Sequence, residues 1–267
     1  MPDIESAAAA AREKITEKMS AMSFLEHLEE LRKRIIWSIV AVGVAFAVCW
    51  NYADKIYGYM QEPIMQALQR NHLEQKLVYL NPTEPFNMYM KIGLIAALFL
   101  ASPFVLYQLW AFVAPGLYKN EKRYVMPFMV LSVGLFLGGG FFGYKIVYPA
   151  ALDFLINYGK QFQPMITIGE YTDLFLTIII GLGVVFEMPI LVFFLALIGI
   201  VSPRWMWNNF RYSILAIFVI AAILTPTTDI MNMCVFAAPM IGLYLISIGV
   251  AWLVHPKRRK RKAEEQA

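Results

Sequence analysis

Residues able to carry soluble chemistry are scarce in this chain. Its 2 cysteines, Cys49 and Cys234, each lie inside an apolar run, which excludes a disulfide framework or a thiolate metal site and makes both read as small core residues. Its 3 histidines, His27, His72 and His255, are too scattered for a metal-ligand spacing or a nucleophile's general base. No glycine-rich loop of the phosphate-cradling kind occurs; Gly138-Gly139-Gly140 stands within an apolar run and reads as close helix packing. With no convergent nucleophile or metal set, neither an enzyme nor a metal or cofactor is expected. Residues 1–23 hold an alanine run among charges and no apolar core of the length a cleavable signal peptide needs, so the first apolar run reads as its own insertion signal. No internal repeat appears, and nothing suggests an inverted-repeat transporter.

Charge is scarce as well. Only 16% of residues are charged and 59% are hydrophobic, where a soluble domain usually keeps about 25% charged. The apolar excess falls in six stretches, roughly Ile35–Tyr52, Ile92–Val113, Tyr124–Tyr144, Leu174–Ile200, Tyr212–Leu224 and Met233–Val254. Most approach the roughly 20 residues with which a helix crosses hydrocarbon. The fifth is short and must thin the bilayer or shelter behind its neighbours. Six membrane-spanning helices in an all-α membrane protein are therefore expected.

What charge there is lies unevenly. Of the 23 Lys and Arg residues, 17 fall on one set of alternate segments: the N-terminal segment through Arg34, the turn with Lys119, Lys122 and Arg123, then Arg204 and Arg211, and the run Lys257 to Lys262. The bias places both termini in the cytoplasm. The net charge of +4 then needs no nucleic acid to explain it, and the closing basic run reads first as an anchor against anionic lipid, with a partner-docking tail as the alternative. Ser23 and Glu26 fit a capping box that would start the first ordered helix. This divides the chain into a cytoplasmic tail over 1–22, a membrane domain over 23–254 and a basic cytoplasmic tail over 255–267. On the outer side, residues 53–90 are expected to form an ordered cap with short helices, from the spacing of Ile56, Tyr57, Tyr59, Met60, Ile64 and Leu68. A second outer loop of that kind is expected around Val147–Asp173.

Three polar features stand against this apolar background. The run His27-Leu28-Glu29-Glu30-Leu31-Arg32-Lys33-Arg34 leads directly into uncharged sequence, so carboxylates and cations are held together at one membrane surface. Glu121, in the turn after the second span, shares that face with Glu30. Two separated carboxylates there can each grip a guanidinium through forked hydrogen bonds; intramolecular pairing with Arg32, Lys122 or Arg123 is the plainer alternative. Glu187 stands 13 residues from each end of the fourth span, where a charge costs at least about 2.5–3.5 kcal/mol. Pro189 is expected to kink the helix beside it. Glu187 reads either as a protonated acid bonded to a neighbouring span or as a polar notch for another protein's helix, with a proton relay or a coupling site for a small-solute or ion transporter as the rival. Pro103, Tyr107, Trp110, Phe112 and Pro115 read as interfacial belt and packing, with Phe112 placed to wall a bound peptide.

Taken together, HLEELRKR before the first span, SPFVLYQLWAFVAPGLYKNEKR closing the second, FEMP in the fourth and LTPTTD after the fifth resemble TatC, the multispanning subunit of the twin-arginine protein translocase. The resemblance covers the chain from about Ser23 to Val254. It implies six helices in a concave cup with the last two short, in a bacterial-type inner membrane. The implied role is receptor and core scaffold, exporting folded proteins with the proton-motive force. Glu30 and Glu121 match the family's acidic positions that hold the paired arginines of the signal peptide. Arg32 matches the basic residue beside the first acid, and Gln108, Phe112, Pro63 and Tyr144 also fall on motif positions. Glu187 matches the acid that contacts single-span TatA/TatB-type subunits, and self-association in a larger complex is implied. Around Asp229 the sequence departs from the commoner form with consecutive prolines.

Overall fold

The structure is a computed structural model, and it describes residues 3–113, 125–162, 164–225 and 230–254. The described residues are helical apart from short connections and one isolated parallel bridge, Val78 to Thr167. The helices are α1 (Asp3–Trp50), α2 (Ala53–Arg70), α3 (Glu84–Val113), α4 (Val125–Phe142), α5 (Tyr148–Tyr158), α6 (Ile168–Phe186), α7 (Met188–Ile198), α8 (Pro203–Asn208), α9 (Phe210–Leu224) and α10 (Ile230–Val254). A π-helical turn, Gly143–Val147, joins α4 to α5 without interruption.

Among the described residues, five stretches are long and apolar enough to cross a membrane: Glu26–Trp50, Glu84–Phe112, Met126–Tyr158, Ile168–Leu197 and Met233–Leu253. The shorter apolar helix Phe210–Ile223 stands where the short fifth span is expected. The exposed side of α1 is Ile35, Ile36, Trp37, Ile39, Val40, Val44 and Val48, a surface that only lipid solvates cheaply. The other face of α1 packs along α3, while α3, α4 and α6 pack on one another and α10 packs on α7 and α9. Gly139 shows how close these approaches are: a Cβ there would lie 2.7 Å from the Leu182 carbonyl oxygen of α6. Only glycine lets the two backbones meet at that point.

Three expectations need correction. α1 runs unbroken from Asp3, so Ser23 does not cap it; residues 3–22 hold neither proline nor glycine, and a helix already nucleated by the span propagates through such sequence at little cost. The second outer connection is residues 159–167, shorter than expected, because the third span continues through α5. Val147, Tyr148, Ala151 and Leu152 are all buried, at helical spacing, and α5 packs against α2. Cys49 is buried as expected, but Cys234 is exposed.

The expected cap exists as α2, whose Met60, Pro63, Ile64, Ala67 and Leu68 face inward. Pro63 lies inside this helix, has no N–H, and so leaves the carbonyl four residues back, that of Tyr59, without its helical donor. The hydroxyl of Tyr144 donates to that carbonyl at 2.8 Å. Tyr171 of α6 donates to the next carbonyl, that of Met60. Hydroxyls from two spans thus bond two successive carbonyls in the turn before Pro63. At the same end Arg70 pairs with Asp153 at 3.0 Å and Lys91 with Asp173 at 2.5 Å.

Candidate functional site

Two polar clusters lie on the same helix end. The last turns of α3 carry Gln108, Trp110 and Phe112; residues 108 and 112 are four apart and share a face, while Trp110 points to the other side. The first face meets α1. Arg34 donates through Nε and Nη2 to Glu30 Oε1, at 3.0 and 2.5 Å, and through Nη1 to Gln108 Oε1 at 3.1 Å. Glu30 Oε2 is left 4.0 Å from His27 Nδ1, and the His27 ring stacks on Phe112 with centroids 4.4 Å apart. The cluster is only partly shielded, with side-chain exposures of 35% for Glu30 and 24% for Arg34. Water therefore still screens the pair, which limits its worth as a structural tie.

The second face of α3 meets α4 and the break between α6 and α7. Trp110, 7% exposed, donates from Nε1 to the fully buried Ser132 Oγ at 2.9 Å. Ser132 in turn donates to Glu187 Oε2 at 2.6 Å. Glu187 is the residue between the two helices, with Pro189 in the first turn of α7, where its missing N–H costs nothing. Its Oε1 is buried and has no partner among the described residues. Around this chain pack Leu106, Phe136, Ile190, Phe193, Phe194 and Leu197, so the acid is served by neutral donors in an apolar wall. The helix is interrupted at Glu187, two residues before Pro189, and the neighbouring span that bonds the acid is α4, backed by α3.

Of the residues that the sequence singles out, Glu30, Gln108 and Phe112 come together. Arg32 does not: it is exposed and makes no ion pair among the described residues. Arg34 takes that place, because four residues from Glu30 is nearly a full turn while two residues points away. Glu121 and Asp229 lie outside the described residues, as do Lys119, Lys122, Arg123 and the basic run from Lys257. Four participants were missed by sequence reasoning. Arg34 and His27 had a signal in their spacing from Glu30. Trp110 read as belt and packing, although a buried indole N–H needs an acceptor; Ser132 gave no signal at all. No group of three or more His, Cys, Asp or Glu able to hold a metal occurs among the described residues.

The family profile described as Sec-independent protein translocase protein (TatC) matches residues 26–239. The protein of that description from Koribacter versatilis (strain Ellin345) is 72% identical over 250 residues, covering 94% of this chain and 92% of that one. Its counterpart from Carboxydothermus hydrogenoformans is 38% identical over 237 residues, covering 88% and 95%. A crystal structure of a twin arginine translocase receptor, TatC, matches with a TM-score of 0.76 and 35% identity, covering 85% of this chain and 99% of that chain. None of these matches supports the rival of a small-solute transporter coupled through Glu187. With its apolar spans and its similarity to these proteins across most of its length, the chain is a multi-pass membrane protein and belongs to the TatC family of Sec-independent protein translocase proteins.

Proposed function

We propose that this chain is the twin-arginine signal-peptide receptor and core scaffold of a translocase that exports folded proteins with the proton-motive force. The observation that carries the reading is the Glu30 carboxylate. It already grips a guanidinium with help from Gln108, beside the aromatic wall of His27 and Phe112, at the foot of a lipid-facing helix. A site that holds one guanidinium in this way has the acceptor geometry to hold another. In this reading Glu30 and Glu121 take one arginine each, Arg32 is a neighbouring cation of the rim, and the peptide's apolar part lies along the spans. Both termini are cytoplasmic, in a bacterial-type inner membrane. Glu187 and Pro189 form the notch where single-span TatA/TatB-type partners dock, which gives the unpartnered Oε1 a donor to receive. The similar crystal structures, described as translocase receptors, support the assignment.

Photo-crosslinking from positions 30 and 121 to a twin-arginine peptide and to its twin-lysine variant tests this. Strong labelling by the first and weak labelling by the second is expected, and Glu30→Gln is expected to cost about 1.5–3 kcal/mol of peptide affinity. Equal labelling by both peptides would count against the reading.

A further inference from the structure

We propose that Arg34 is a built-in competitor that sets the preference of Glu30 for guanidinium over ammonium. The inference rests on the receptor reading above and assigns to it a residue that supplies discrimination. Arg34 uses all three of its nitrogens: two on Glu30 Oε1 and one on Gln108. It thereby joins α1 to α3 and neutralises the acid before any peptide arrives. A cation entering the site does not meet a bare carboxylate. It must exchange with a three-bonded planar fork, and the outcome depends on what it can offer in return.

An incoming guanidinium makes the same set of bonds that Arg34 gives up, so the exchange is close to neutral and is decided by the rest of the peptide. Glu30 Oε2, which among the described residues has only His27 Nδ1 beside it, at 4.0 Å, gives such a fork its first contact while Arg34 still holds Oε1. A lysine ammonium is a compact, strongly hydrated charge that cannot reach a carboxylate and an amide oxygen in one plane. It loses hydration and regains fewer bonds, so it fails to displace Arg34. Without Arg34, Glu30 would be an open, partly screened anion that attracts either cation through charge alone. Selectivity in this scheme comes from the competitor already in the site, in addition to the fit of the ligand. Arg32 and Lys33 do not play this part, since both are exposed and neither bonds to Glu30 or Gln108 among the described residues.

The test compares binding of a synthetic twin-arginine peptide and its twin-lysine variant to the full chain in nanodiscs, for the wild type, Glu30→Gln and Arg34→Ala. Arg34→Ala is expected to strengthen twin-lysine binding about tenfold and twin-arginine binding much less, so that the ratio between them collapses. A residue that merely positions Glu30 would lower both affinities when removed. Loss of binding by both peptides, or an unchanged ratio, therefore overturns the proposal. Should Arg34→Ala fail to insert, Arg34→Gln keeps a side chain able to reach Gln108 without the charge and is read in the same way. If the wild type binds both peptides alike, or Glu30→Gln changes nothing, the receptor reading itself has failed; if those controls hold and the ratio survives in the Arg34 variants, only the competitor has.

Discussion

Glu30 of α1 and Glu187 between α6 and α7 are tied to opposite faces of the end of α3 through Arg34 and Ser132, and each is held by a different kind of chemistry. Glu30, a third exposed, is met by a full positive charge. Among the described residues Glu187, beside an apolar cluster, is met by no cation, only by a serine hydroxyl that an indole orients, with one oxygen left over. The contrast follows from dielectric. A charge pair in wet surroundings is weak and exchangeable, which suits a site where one guanidinium must replace another. In a dry wall neutral donors avoid the desolvation of a second ion and hold the acid in one direction. One acid is placed to trade partners and the other to keep them.

That contrast can be broken by deletion, measured as reversible unfolding in mixed micelles. Trp110→Ala is expected to have the largest effect, about 3–5 kcal/mol, because it empties a buried aromatic site as well as removing the donor to Ser132. Ser132→Ala, which leaves Glu187 Oε2 and the indole N–H without partners while changing little volume, is expected to cost about 1–3 kcal/mol. If it costs nothing, the dry network is not what holds Glu187. Tyr144→Phe at the outer end is an intermediate case: about 1 kcal/mol is expected from the orphaned Tyr59 carbonyl. The loss should shrink in a Pro63→Ala background, where the helix recovers its own donor; an equal loss in both backgrounds would uncouple Tyr144 from the proline. Arg34→Ala is expected to have the smallest effect on stability, below about 0.5 kcal/mol, as for other i,i+4 pairs at a wet surface. A cost comparable to that of Ser132→Ala would erase the distinction between the two acids.

The parts of this arrangement that were legible in the sequence are those fixed by local physics. The break at Glu187 follows from Pro189 two residues later, and α2 follows from apolar spacing at 56, 60, 64 and 68. The short fifth span follows from counting. What was hidden depended on tertiary contact. Helical residues 3–22 override the Ser23 capping box because propagation from the span outweighs a local cap. The third span runs on to Tyr158 because α2 is there to cover Tyr148, Ala151 and Leu152. Ser132 looks like an isolated small polar residue until Trp110, 22 residues away, is seen to reach it. The choice between Arg32 and Arg34 was a matter of helical angle and was open to inspection from the start.

The most direct measurement is a double-mutant cycle for peptide binding in nanodiscs, pairing Glu30→Gln in the receptor with arginine-to-lysine in the peptide. Direct contact predicts a coupling free energy of about 1 kcal/mol or more, each change being nearly silent once the other is made. Strictly additive losses would show that Glu30 does not touch the arginine pair.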